Sequence, residues 1–171
     1  KTIMLQMLAQ HNNTFKFVVA TLYKFVSLDD APQLRETLQD CCDGAGVYGT
    51  ILLADEGING TIAASVPAMT TVLTWLQSDC RFDGLSLKFS ACDRRPFLRM
   101  KVRLKREIVT MGCPDIKPAE RNGTYVEPAD WNALISDPAV MVIDTRNSYE
   151  TAIGMFDGAI DPNTTNFRDF P

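Results

Sequence analysis

Seven basic residues and no acid lie between Arg94 and Arg106, and four of them, Arg99, Lys101, Arg103 and Lys105, alternate strictly with Leu98, Met100, Val102 and Leu104. Alternate residues of an extended strand share a face at a repeat of about 6.6–6.8 Å, so as a strand this segment presents one charged ribbon. The chemistry open to such a ribbon is neutralisation of a polyanion, because lysine and arginine displace the counterions held by nucleic-acid phosphates. On a bare sheet edge the same residues would serve instead to block edge-to-edge aggregation. Arg94, Arg95 and Arg106 carry the charge further than edge protection needs. That favours contact with RNA phosphates at Arg94, Arg95, Arg99, Lys101, Arg103 and Lys105. The chain has 17 basic and 21 acidic residues, net −4, but outside the basic segment the balance is 10 against 21, or −11. One cationic stripe on an acidic body is the pattern of a single polyanion-facing surface.

Two further sets of residues could do chemistry. Asp144 and Arg146 pair a carboxylate with a guanidinium just after the apolar run Val140-Met141-Val142-Ile143. Such a pair is either a buried salt bridge, a loop-fixing hydrogen bond or a contact to substrate. The five cysteines, Cys41, Cys42, Cys80, Cys92 and Cys113, are an odd set with no Cys-x-x-Cys spacing and only His11 as an imidazole partner. Neither a zinc site nor a disulfide framework fits that arrangement. Cys41 and Cys42 fall at the apolar end of a predicted helix and read as buried or half-buried structural thiols, with reactive thiols the alternative. No metal-ligand cluster, flavin motif or haem motif is visible, so the stretch implies no metal and no organic cofactor.

The elements that must position these groups follow from periodicity. Phe15 to Val26 is apolar at both parities, as in a strand covered on both faces or central in a sheet. Asp29 or Asp30 caps a helix with Pro32 in its first turn, Ala31, Leu34, Leu38 and Cys41 at helical spacing, and Gly44 and Gly46 at its end. Val47 to Ala54 and Thr61 to Ala64 read as a hairpin whose loop, Asp55 to Gly60, holds the Asn59-Gly60 pair; Gly57, Asn59 and Gly60 then serve turn geometry or display backbone amides to RNA. Ser65 caps a second helix with the stripe Met69, Val72, Leu73 and Leu76, ending near Asp79. Leu85, Leu87 and Phe89 alternate with Ser86, Lys88 and Ser90 as a half-buried strand.

The order is βαββαβ, the ferredoxin-like arrangement, with two helices on one face of an antiparallel sheet. No K/R-G-F/Y aromatic RNA-recognition motif lies on these strands, so base stacking on the sheet is not expected. Gly112 to Gly123 reads as a linker. Beyond it, Pro128 to Ile135 is a short helix with Trp131, Leu134 and Ile135 as its apolar side, and Asp137-Pro138 turns into the run Val140 to Ile143, which reads as a fully buried parallel strand. Asn147 and Glu150 form a capping-box pattern for a two-turn helix ending at Gly154, which makes Glu150 a helix cap rather than a catalyst. The expected organisation is an extension at 1–14, a ferredoxin-like domain at 15–93, a basic strand and linker at 94–123, and a partial α/β domain at 124–171.

Val142-Ile143-Asp144-Thr145-Arg146 through Glu150, followed by Gly154-Met155-Phe156-Asp157-Gly158-Ala159-Ile160, resembles the first half of a rhodanese domain, with Met155-Phe156 where rhodaneses often carry His-Ile. Together with Glu56-Gly57-Ile58-Asn59-Gly60-Thr61 and Pro96-Phe97-Leu98-Arg99-Met100-Lys101-Val102, the chain resembles the rhodanese-like tRNA uridine hydroxylase family. Each motif alone is common, and it is their order and spacing that is specific. The resemblance implies a tRNA-modifying oxidoreductase that uses molecular oxygen to hydroxylate the wobble uridine, with tRNA bound near its anticodon. It also implies a catalytic cysteine in a C-x-x-G-x-R loop. None of the five cysteines has both glycine at +3 and arginine at +5. The expectation is therefore a fragment that ends before that loop and is inactive alone, with Asp144 and Arg146 supporting the loop and this chain docking the tRNA.

A rhodanese-type sulfurtransferase working through a cysteine persulfide is the competing enzyme reading, and a non-catalytic RNA-binding or protein-binding module is the third. No apolar run reaches the roughly 20 residues needed to span a bilayer, and residues 1–10 lack the pattern of a secretory signal, which points to the cytoplasm and no membrane partner. The sequence leaves the oligomeric state open.

Overall fold

A computed structural model describes residues 15–109, 112 and 123–170. The expected extension at 1–14, most of the linker, and Cys113 lie outside the described residues. The chain divides into two compact units, Lys1–Val109 and Thr110–Pro171. Among the described residues no helix is long and apolar enough to cross a membrane.

In the first unit the elements run β1 (Phe17–Phe25), α1 (Ala31–Ala45), β2 (Tyr48–Ala54), β3 (Gly57–Ala64), α2 (Val66–Leu76), a short 3₁₀ turn (Cys80–Phe82), β4 (Ser86–Cys92) and β5 (Met100–Leu104). They build one sheet in the order β4-β1-β3-β2-β5, antiparallel throughout except where β2 pairs β5 in parallel. This is an α+β fold containing the βαββαβ order that the periodicity predicts. The cationic segment, which the sequence sets outside that domain, is the sheet's fifth strand instead.

Both helices lie on one face because their apolar residues recur at helical spacing. Ala31, Leu34, Leu38 and Cys42 are the buried positions of α1, and Met69, Val72, Leu73 and Leu76 those of α2. They meet Val18, Ala20 and Leu22 of β1 and Ile51, Leu53, Ile58 and Ile62 of the central hairpin, with Phe82 fully buried beside them. Each Val, Leu, Ile, Met or Phe side chain among them contributes about 1.5–3 kcal/mol by leaving water. Ser65 caps α2 as expected, its Oγ accepting from Ala68 N at 3.5 Å. Asp30 occupies the N-cap of α1 but makes no side-chain cap, because its carboxylate is taken by Arg81.

Three details of the sheet refine the sequence reading. β1 is central, yet only one of its faces is covered: Val18, Ala20 and Leu22 are buried while Thr21 is exposed. The hairpin turns at Asp55-Glu56, since Ala54 pairs with Gly57, and Asn59-Gly60 lie inside β3. Gly60 is there for close approach, not for a turn, because a Cβ on it would sit 2.6 Å from the Thr50 carbonyl oxygen. On β5, Val102 is buried and Met100 half-buried, but Leu104 is 46% and the preceding Leu98 87% exposed. The core covers only the middle of this edge strand.

The second unit holds α3 (Pro128–Ile135), the single turn α4 (Ser148–Thr151) and a 3₁₀ turn (Phe167–Asp169). Val140 to Ile143 is not the buried strand that its composition suggests: one isolated parallel bridge, Ile143 to Ile160, forms there, and Met141 and Ile143 are 69% and 44% exposed. Val140 and Val142, on the other side of the run, are only half-buried, so apolar composition alone does not produce a ladder. α4 is also shorter than the two turns expected.

Candidate functional site

Pairing with β2 sets the direction of each cation. Lys101 stands opposite Thr50 and Arg103 opposite Leu52, on the sheet face away from the helices. Gly49 N donates to Arg99 O at 3.1 Å and Lys105 N to Leu53 O at 2.8 Å, which extends the ladder by one residue at each end. Period-two alternation therefore puts Arg99, Lys101, Arg103 and Lys105 on a common side. Arg94 and Arg95 lie in the approach to the strand, both exposed. The Arg95 guanidinium rests 4.8 Å from the centre of the Tyr48 ring, a cation–π contact on the same face as Thr50. Among the described residues no carboxylate pairs with any of these six cations.

The edge-protection reading meets a specific observation. Val102 N donates to Gln39 Oε1 at 2.8 Å, and Arg35 Nε donates to Val102 O at 3.4 Å. Helix α1 thus occupies both backbone groups in the middle of the outer edge, and the lysines and arginines are not needed to guard that point.

Asp144 and Arg146 come together at the end of the Ile143–Ile160 bridge. Arg146 Nε donates to Asp144 Oδ1 at 2.9 Å and Nη2 to Oδ2 at 2.6 Å, while Nη2 also reaches Gly154 O at 2.7 Å. The pair therefore ties the strand end to the residue beyond α4. The Arg146 hydrogen bonds hold the Asp144 carboxyl below its ordinary value, and Asp144 in turn raises Arg146. Glu150 reaches back to Asn147, accepting its backbone N–H at 3.2 Å and its side-chain amide at 3.0 Å, which is a capping geometry. A folded-state value below the ordinary 3.8 means that the pair's contribution is present above that pH and lost as pH falls through the folded value. Limited pepsin digestion is therefore expected to spare residues 144–154 at about pH 5 and cut them at about pH 2. Asp144→Asn is expected to expose them at both; equal resistance of the variant at the higher pH would remove the loop-fixing role.

The thiols behave as structural groups where they are enclosed. Burial pushes the Cys42 thiol up to about 12 and also raises Cys41, while Cys80 is exposed. Thiolate is the reacting species, so iodoacetamide at about pH 8 is expected to label Cys80 well before Cys42. Mass-spectrometric mapping of the alkylated sites checks this, and early labelling of Cys42 would contradict it.

Sequence reasoning missed one charged cluster. Arg81 pairs with Asp79 Oδ2 at 2.6 Å and, through both terminal nitrogens, with Asp30 at the start of α1. The Asp30 partner lies 51 residues away, beyond any periodic signal. The Asp79-Cys80-Arg81 half repeats the hydrogen bonds of Asp144-Thr145-Arg146: in each, the arginine backbone N–H and Nε both reach the same aspartate. Also missed were Tyr48 and Phe97, aromatic residues on or over the open face of the sheet.

Comparison with known proteins adds to this geometry. A protein of Sinorhizobium medicae named tRNA uridine(34) hydroxylase is 59% identical over 156 residues, covering 91% of this chain and 50% of that protein. A protein of the same name from Rhizobium leguminosarum is 56% identical over 159 residues, covering 93% and 52%. The chain thus spans about half the length of the curated relatives it matches. Among solved structures, an acylphosphatase from Coxiella burnetii is 9% identical with a TM-score of 0.35, covering 52% of this chain and 92% of that one, a likeness too distant to carry an argument. Residues 17–108 match the family described as the UPF0176 acylphosphatase-like domain, which spans the whole sheet and both helices of the first unit, and the chain belongs to that family.

Proposed function

We propose that this chain is part of an enzyme that places a hydroxyl on the wobble uridine of tRNA, and that its first unit docks the tRNA near the anticodon. Molecular oxygen is the co-substrate in this reading and the cytoplasm its setting. The observation that carries the proposal is the 59% identity, over 91% of the chain, to a protein named tRNA uridine(34) hydroxylase. The cations on β5, which no carboxylate among the described residues pairs, support the docking role, because such charges are free to replace the counterions of an RNA backbone. Asp144 and Arg146 hold a loop in the second unit, which fits a supporting role beside a reaction centre better than a direct one. Disrupting the gene that encodes this chain is expected to remove 5-hydroxyuridine and its derivatives from position 34, read by mass spectrometry of tRNA digests. Undiminished modification would refute the proposal, and rapid sulfur transfer from thiosulfate by the gene product, with tRNA uridines left unmodified, would favour the sulfurtransferase instead.

A further inference from the structure

The open face of the sheet has an organisation that the charge of β5 alone does not explain. Directly opposed residues of neighbouring strands share a face, so the register defines rows across the sheet. One row reads Lys88, Thr21, Thr61, Thr50, Lys101: three threonines bracketed by a lysine on each edge strand. At about 4.8 Å per strand the two lysine positions are roughly 19 Å apart. The next row is Ser86, Tyr23, Asn59, Leu52, Arg103, again ending on a cation. None of the strands contains a carboxylate, although the chain has 21 acidic residues.

The face is also concave. Thr50, Leu52, Asn59, Gly60, Thr61 and Phe97 line a depression of about 260 Å³ that opens to solvent. Phe97, which lies in the approach to β5 and not on a strand, walls one side and supplies an aromatic surface that the strands' own sequence does not predict. The segment after β5 returns to the same hairpin, with Asn59 Nδ2 donating to Ile108 O at 3.0 Å and Ile108 N to Glu56 Oε1 at 2.6 Å. An aromatic wall, neutral hydroxyl and amide groups on the floor, and cations at the rim are the three things that a splayed-out base and its backbone need. An acidic peptide would use the cations but has no planar ring for Phe97.

We propose that a single-stranded RNA segment crosses this face along the threonine row, with one unstacked base seated in the depression against Phe97 and the phosphate beside it held by Lys101 and Arg103 at the β5 edge. This rests on the RNA-docking reading above and narrows it to unpaired nucleotides.

The test is fluorescence-anisotropy titration of the whole chain with labelled heptauridylate and, separately, with tRNA. Phe97→Leu, which keeps an apolar side chain without the ring, weakens heptauridylate binding roughly tenfold and leaves the salt slope unchanged, since base stacking is insensitive to counterions. Thr61→Val, equal in volume, weakens it less, and a heptauridylate carrying 4-thiouridine crosslinks to the peptide containing Phe97. Wild-type affinity in Phe97→Leu, while tRNA binding remains salt-dependent, overturns this inference and leaves tRNA docking standing. Displacement of heptauridylate by polyglutamate, equally in wild type and in Phe97→Leu, also overturns it and assigns the face to acidic peptides. No salt-dependent tRNA binding at all defeats both readings.

Discussion

Replacing Arg99, Lys101, Arg103 and Lys105 together with glutamine lowers the slope of log affinity for tRNA against log salt concentration by about 3. Each phosphate neutralised on a single-stranded RNA contributes about 0.7 to that slope. The expected size follows from the ladder, which continues to Arg99 O and Lys105 N and so carries all four cations on one side, with no described carboxylate to compete for them. At physiological salt the loss is of order a hundredfold or more, read by filter binding across a salt series. The fold should survive, since the substituted side chains lie on the open side of the sheet and exposed charges contribute little to stability. A variant with native circular dichroism and an unaltered salt slope would return β5 to the edge-protection reading.

Gly49→Ala is expected to be among the most damaging single changes in the first unit. Gly49 has φ +137°, and a Cβ there would lie 2.2 Å from Thr61 O and 2.7 Å from Ile62 Cα. Both contacts are backbone atoms of the neighbouring strand, so no side chain can swing away to relieve them. Backbone strain of about 1–3 kcal/mol adds to overpacking of about 1–3 kcal/mol, a large share of the 5–15 kcal/mol that holds a typical domain together. The same residue donates its N–H to Arg99 O, so the cationic strand loses its anchor as well. A urea midpoint lowered by about 2 M is the expected result, and an unchanged midpoint would mean that β2 and β3 separate there at little expense.

How legible this molecule is in its sequence depends on the range of the interactions. The stripes Leu34, Leu38 and Met69, Val72, Leu73, Leu76 are local and regular, and both helices follow from them. β5 is visible as a strand from alternation, but its partner is not. The parallel match of Lys101 to Thr50 joins segments about 50 residues apart, and nothing in either segment names the other. The Asn59-Gly60 pair drew the hairpin turn to itself because that dipeptide suits positive φ, whereas here it serves close strand packing. Val140 to Ile143 looks like a buried strand by composition, yet burial is a property of neighbours and not of the run itself.

For the candidate site, the cations were readable as charge pattern and the concave face was not. Phe97, Thr50 and Asn59 come together only through register and a returning segment. The two Asp-x-Arg pairs teach a related lesson. Asp79 with Arg81 and Asp144 with Arg146 close the same local ring of hydrogen bonds in different surroundings, so that motif builds itself from three consecutive residues wherever it occurs. Its presence at residue 144 therefore describes a rigid corner, and the chemistry nearby must be argued from other groups.

The absence of carboxylates from the sheet strands also fixes how this platform responds to acidity. Neither Asp, Glu nor His occurs in them, and these are the side chains that ordinarily change charge between about pH 4 and 7. The strands themselves therefore bring no such group to the proposed RNA contact, and that contact is expected to change little between about pH 4 and 7 on their account.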